Sequence, residues 1–264
     1  MIAIGGLINS TVDIVREKIE DKDETYIKNL AQEQVDCGAH IIDVNAGAFV
    51  WDETENLIWL VNTVQEQINK PLALDSPSAE ALRKATEVHK GIPVINSITA
   101  EEKRYNEVLP IVKQFNTEVI ALCMSDDGMP ETVDDRLKVT DKLLNNFEKE
   151  GIDLTKVYLD PIIKPIGVNS KDGKMALQTI QAINSWETDV HITCGLGNIS
   201  YGLPHRKLLN QALLIMAMER GMDSAIIDPT DKYLMKLIKA AEVLINRDAY
   251  ETEYLKAARA GELD

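Results

Sequence analysis

The sequence has few cysteines, no surplus of basic charge and no long apolar run, and each shortage excludes something. Cys37, Cys123 and Cys194 are its only cysteines in 264 residues, far apart and without a CxxC pair. That argues against a disulfide framework and for a reducing, cytoplasmic setting. Acidic side chains outnumber basic ones 43 to 28, for a formal charge of −15. Such a surface repels phosphate backbones, and no basic stripe offsets it, so no nucleic-acid partner is expected. No apolar stretch approaches the roughly 20 residues that span a bilayer, so no membrane association is expected either. Residues 1–10 lack the basic start and cleavage site of a signal peptide. No segment is rich enough in Pro, Gly or Ser to be a linker, so one domain over residues 1–264 is expected.

What is present is a repeat. Short β-branched runs recur at residues 2–6, 40–44, 71–74, 92–95, 118–123, 157–159, 190–193 and 224–227. Each is almost continuously apolar, as strands covered on both faces are. Between them lie segments of helical period. Ile27, Leu30, Ala31 and Val35 close on Gly38; Leu137, Leu144 and Phe147 on Gly151; Leu208, Ala212, Ile215 and Met216 on Gly221. Leu57, Leu60, Val61, Val64 and Ile68 keep the same period. Eight strand–helix units predict an α/β fold, a (β/α)8 TIM barrel. A doubly wound open sheet uses the same units, but Gly5-Gly6-Leu7-Ile8-Asn9 does not spell its GxGxxG fingerprint.

In such a barrel the site lies at the carboxyl ends of the strands. Those positions hold Asn9, Asp43 with Asn45, Asp75, Asn96, Ser125 with Asp126, Asp160, Asn198 and Asp228. No lysine or histidine is among them. Any one of these residues could simply cap a helix or make a turn. Together they form a ring of carboxylates and carboxamides, where capping alone would equally have used Ser, Thr or Gly. A carboxylate accepts paired hydrogen bonds, and a 2-amino-4-oxo-pyrimidine edge offers an N3–H beside a 2-amino group. A pterin or guanine suits the ring, and a sugar or polyol also satisfies it.

The strings Leu74-Asp75-Ser76, Ile95-Asn96-Ser97, Tyr158-Leu159-Asp160-Pro161 and Gly195-Leu196-Gly197-Asn198-Ile199-Ser200 resemble the pterin-binding methyltransferases that move a methyl group between tetrahydrofolate and a corrinoid. The resemblance runs from the first strand to Ala225-Ile226-Ile227-Asp228 and implies a pterin-binding TIM barrel. It makes Asp75, Asn96 and Asp160 pterin anchors, with Asp43 and Asn45 lining the floor. It makes Asn198 the catalytic residue, bonding the N5 region where the methyl group travels, on a turn shaped by Gly195 and Gly197. It sets Arg206 beside the folate. Gly197 stands where a relative has serine, and Cys194 adjoins the same turn.

The implied reaction is a displacement between N5 and cobalt that needs no nucleophilic side chain. Tetrahydrofolate or 5-methyltetrahydrofolate is then the substrate. The chain has no DxHxxG string, so cobalamin or another corrinoid is expected on a partner protein that docks over the mouth. A homodimer is implied by the resemblance alone. The direction of transfer stays open.

The other notable residues read plainly. His40 and His191 open strands at the far end of the barrel and are expected to be structural, and no HExxH spacing points to a metal. Cys123 and Cys194 fall near strand ends and are expected in the core. Trp51 and Trp59 bracket the second loop and helix, and packing is the simpler role for each. Asp126-Asp127-Gly128 and Asp134-Asp135 read as a solvated loop and a helix start. Among rival functions, a dihydropteroate synthase would need a long loop after the first strand, where Ile8-Asn9-Ser10-Thr11-Val12 passes straight toward a helix. A non-catalytic folate-binding module is the alternative from another class.

Overall fold

The computed structural model describes residues 1–263. Among them, eight parallel strands form one sheet in the order β7-β6-β5-β4-β3-β2-β1-β8. These are β1 (Ile2–Asn9), β2 (Ile41–Asn45), β3 (Leu72–Asp75), β4 (Val94–Ala100), β5 (Glu118–Ser125), β6 (Val157–Asp160), β7 (His191–Ile192) and β8 (Ser224–Ile227). The two edges meet through a parallel bridge between Gly195 and Ile226, and the Ile226 amide bonds the Cys194 carbonyl at 2.8 Å. The expected barrel therefore closes. Its helices are α1 (Asp13–Glu20), α2 (Glu24–Asp36), α3 (Glu53–Gln67), α4 (Ala79–Val88), α5 (Glu102–Phe115), α6 (Val133–Lys149), α7 (Asp172–Asn184), α8 (Arg206–Glu219), α9 (Lys232–Leu244) and α10 (Thr252–Arg259). No helix among the described residues is long and apolar enough to cross a membrane.

The helix ends follow the sequence. Gly38, Gly151 and Gly221 take φ of +101°, +70° and +116° just beyond α2, α6 and α8, a region closed to most side chains. Thr132 and Asp135 make a reciprocal capping box at the start of α6, so the Asp134-Asp135 pair does begin a helix.

The strands depart from expectation in length. β1 continues to Asn9, because a bulge between Gly5 and Ile8 carries the pairing past the glycine pair. A Cβ on Gly5 would lie 2.6 Å from Oε1 of Gln34, a fully buried side chain that accepts the Leu7 amide at 3.0 Å. β4 and β5 run to Ala100 and Ser125, with register shifts after Asn96 and Thr99 and a cis peptide between Asn96 and Ser97. β7 shrinks to two residues, and a 3-10 turn over Leu196–Ser200 follows it.

Two apolar cores result. The larger lies between sheet and helices and takes the outward residues Ile42, Val44, Leu74, Ile95, Val119 and Leu159. The smaller fills the lower barrel interior with Ile4, Ile41, Ala73, Val94, Ile120 and Tyr158. Side chains alternate across a strand, so the next inward residues after Ile41, Ala73, Val94 and Tyr158 are Asp43, Asp75, Asn96 and Asp160.

Candidate active site

That second inward layer is polar, buried and internally bonded. Asn96 Nδ2 donates to Asp43 Oδ2 at 2.9 Å, and Asn45 Nδ2 donates to Asp75 Oδ2 at 2.7 Å. Asn45 Oδ1 in turn accepts from Ser10 Oγ and the Gly47 amide, both at 3.0 Å. The register sets Asn45 opposite Asp75 and Asp75 opposite Asn96 across β2, β3 and β4. Each carboxamide spends a donor on a carboxylate, which fixes its orientation. Four of the expected site residues are thus brought together.

Burial dominates the electrostatics. It raises the Asp43 carboxyl well above the usual range, and the neighbouring Asp75 carboxylate adds to the effect. Asp75 is raised too, by burial first; the Asn45 amide opposes this, the Glu53 carboxylate adds to it and the Arg104 guanidinium opposes it. Asp160 is pushed up to about 6 by burial, although it accepts the amides of Ile162 and Gly195. Asp75 and Asp160, both at about 6, are carboxyls poised to gain or lose a proton just below neutrality. They become good acceptors when a ligand brings N–H groups to them.

The exits of β3, β4 and β6 are held from outside by residues that sequence reasoning missed. From α5, Arg104 donates Nη1 to the Pro77 carbonyl at 2.6 Å and Nη2 to the Ser76 carbonyl at 2.8 Å. Its Nε and Nη2 both reach the Ser97 carbonyl, at 3.0 and 2.7 Å. Ser76 Oγ donates to Glu53 Oε1 at 2.5 Å in a buried contact. From α6, the fully buried Arg136 donates Nε to the Pro161 carbonyl at 2.8 Å and Nη2 to the Ile162 carbonyl at 3.1 Å. It also pairs with the equally buried Asp172 at 2.7 Å. Between these restraints Ile162 sits at φ +58°, unfavourable for a β-branched residue, with its amide donating to Asp160 Oδ1 at 2.8 Å. Neither arginine stands in a motif or at a strand end, so no local signal marks them.

Asn198 occupies the exposed face of the 3-10 turn after β7. Gly195 gives it room, since a Cβ there would lie 3.0 Å from Asn198 Nδ2. Arg206 donates Nη2 to the Gly197 carbonyl at 2.8 Å and Nε to Ser200 Oγ at 3.2 Å, so it braces this turn. The remaining strand-end polar residues do turn chemistry. Asn9 accepts from Thr11, Asp228 from Thr230, and Asp126 caps α5 through the Glu102 amide. Cys123 bonds Thr140 Oγ1 and Cys194 bonds Met222 Sδ, both in the core. His40 and His191 hold the far end, accepting the Ala3 amide and pairing with Asp223. Trp59 is packed, but Trp51 is 94 % exposed on the loop after β2 and so has no packing role.

Residues 5–228 match the family described as pterin binding enzymes. The chain is a pterin-binding enzyme. It is 34 % identical over 265 residues to the methylcorrinoid:tetrahydrofolate methyltransferase of Eubacterium limosum, covering all of this chain and 98 % of that protein. Over 224 residues it is 26 % identical to the methionine synthase of Mycobacterium tuberculosis, spanning 80 % of this chain but 19 % of that larger protein. Among solved structures, the dihydropteroate synthase of Xanthomonas albilineans in complex with 7,8-dihydropteroate superposes with a TM-score of 0.71 at 18 % identity over 94 % of each chain. That similarity shows the shared barrel. For a pterin-binding enzyme, the buried carboxylate–carboxamide layer is the part of the barrel whose chemistry suits the ligand.

Proposed function

We propose that this pterin-binding enzyme moves a methyl group between N5 of tetrahydrofolate and the cobalt of a corrinoid carried on a partner protein. The polar layer carries the reading. A pterin offers N3–H and a 2-amino group side by side, a bidentate match for one carboxylate, and Asp75, Asn96 and Asp160 serve as its anchors. Asp43 and Asn45 form the floor beneath them. The near-neutral carboxyls ionise as those N–H groups bond them. Full-length similarity to a methylcorrinoid:tetrahydrofolate methyltransferase supports methyl transfer as the reaction.

The docked corrinoid supplies the methyl-carrying metal. This chain's own residues hold the pterin and attend to N5. Asn198 is the residue for N5, because a carboxamide can donate to or accept from that nitrogen in either direction of transfer. Gly195 and Gly197 shape its turn, and Arg206 braces it. No side chain need become covalently attached, so positioning supplies the rate. Exposed Val50 and Trp51, on the loop after β2, offer apolar surface at the mouth to the corrinoid protein. Exposed Leu208 and Met216 on α8, with Tyr233 and Leu244 on α9, are the surface for a homodimer. Three free thiols, two of them buried, suit a cytoplasmic enzyme acting as one domain. A dihydropteroate-synthase-like reaction is disfavoured, because only Ser10, Thr11 and Val12 separate β1 from α1.

The test mixes protein, tetrahydrofolate and methylcobalamin without oxygen and follows the methyl–cobalt absorbance. Its loss only when folate and enzyme are both present is the expected result. Silence, together with no calorimetric binding of methyltetrahydrofolate, would sink the reading.

A further inference from the structure

We propose that Arg104 and Arg136 are positioning residues for pterin recognition, each locking the backbone where an anchor strand ends. The inference rests on the pterin reading above. Arg104 joins the segment after Asp75 to the one after Asn96, because its guanidinium donates four bonds to the carbonyls of Ser76, Pro77 and Ser97. Two anchors on neighbouring strands are thereby held at one spacing. Arg136 does the same for Asp160, through the carbonyls of Pro161 and Ile162, and Asp172 anchors it from α7. Asp172 Oδ2 extends the hold to the Lys164 amide at 2.7 Å.

A planar fork of five preorganised donors can serve several carbonyls at set angles, with less ordering cost per bond than the three rotatable donors of an ammonium. Burial makes this costly, since a charge removed from water needs good partners. Arg136 Nη1 has no hydrogen-bond partner among the described residues, so the side chain is not fully served where it sits. A loop needing only stability could be closed with apolar residues. The guanidinium instead bonds the carbonyl of Ile162, which sits in a left-handed conformation with its amide on the Asp160 carboxylate.

Both arginines also place positive charge near the anchors. Around Asp75 stand the Asn45 amide from β2, the Glu53 carboxylate from α3 and Arg104 from α5, and its charge is felt by Asp43 on β2. Around Asp160 stand the Ile162 and Gly195 amides and Arg136 from α6. In both cases the arginine favours the ionised anchor, the form that accepts two N–H groups.

Calorimetric binding of tetrahydrofolate across a pH series, without oxygen, tests the role in Arg104→Gln, Arg104→Lys and Arg136→Lys, alongside melting curves. Arg104→Gln should weaken binding about tenfold to fiftyfold, and the pH below which binding fails should move upward. Arg104→Lys should keep the wild-type pH midpoint and recover part of the affinity. Arg136→Lys should weaken binding about tenfold with its midpoint unchanged. A lowered melting temperature with wild-type affinity and midpoint in Arg104→Gln would overturn the inference while leaving the pterin reading intact. Wild-type protein that binds no tetrahydrofolate would overturn both, and that outcome is read before any variant is compared.

Discussion

The barrel interior changes character over one two-residue step. Ile41 gives way to Asp43, Ala73 to Asp75, Val94 to Asn96 and Tyr158 to Asp160 along β2, β3, β4 and β6. The strands and their helices are the same above and below. Only the side chains differ. The lower layer holds the barrel shut, and each side chain there gains by leaving water. The upper layer opposes folding, since burying carboxyls costs free energy that hydrogen bonds only partly offset. The polar layer gives up stability, and the layer beneath supplies it.

Breaking the lower layer should have the largest effect, and on stability alone. Ile4→Ala is expected to cost about 4 kcal/mol in denaturant unfolding, with tetrahydrofolate affinity of the folded protein unchanged. Loss of binding in proportion to stability would mean that the two layers are not separable. In the mouth above, Asn198→Ala should lower kcat by about 3 kcal/mol, roughly 150-fold, while folate affinity barely moves. An equal loss in both would make Asn198 a binding group only.

Asp160 sharpens the contrast through pH. Its folded carboxyl titrates at about 6, above the ordinary 3.8, so the unfolded chain ionises first. Folding is therefore penalised increasingly as pH rises from about 4 to about 6, by something on the order of 3 kcal/mol, and the penalty stays constant above that. Asp160→Asn should abolish pterin binding, yet raise the melting temperature by several degrees at about pH 7.5 and not at about pH 4.5. An equal change at both pH values would show that the carboxyl is not raised. The smallest effect belongs to Ile120→Val in the lower layer, about 1 kcal/mol of stability and no change in turnover.

Much of this arrangement was legible residue by residue. Short, almost continuously apolar runs located all eight strands, and Gly38, Gly151 and Gly221 marked the ends of their helices. The strand-end polar residues then named the candidate site before any geometry was known. The same rule also collected Asn9, Asp126 and Asp228, which make turns, because a strand-end Asp or Asn looks alike in both roles. Arg104 and Arg136 escaped it altogether. Each lies on a helix with ordinary spacing, and its partners are backbone carbonyls, which carry no residue identity.

The sequence by itself determined the barrel, since a short continuous apolar run followed by a segment of period 3.6, repeated eight times, can bury its apolar surface in few other ways. It also determined which chemical groups stand at the strand ends. Tertiary structure alone decided which of them meet. The pairing of Asp43 with Asn96 and of Asn45 with Asp75 depends on the register between strands far apart in sequence. The raised carboxyls depend on the burial which that packing creates. Strand register and burial are properties of the closed barrel, and no local stretch of chain contains them.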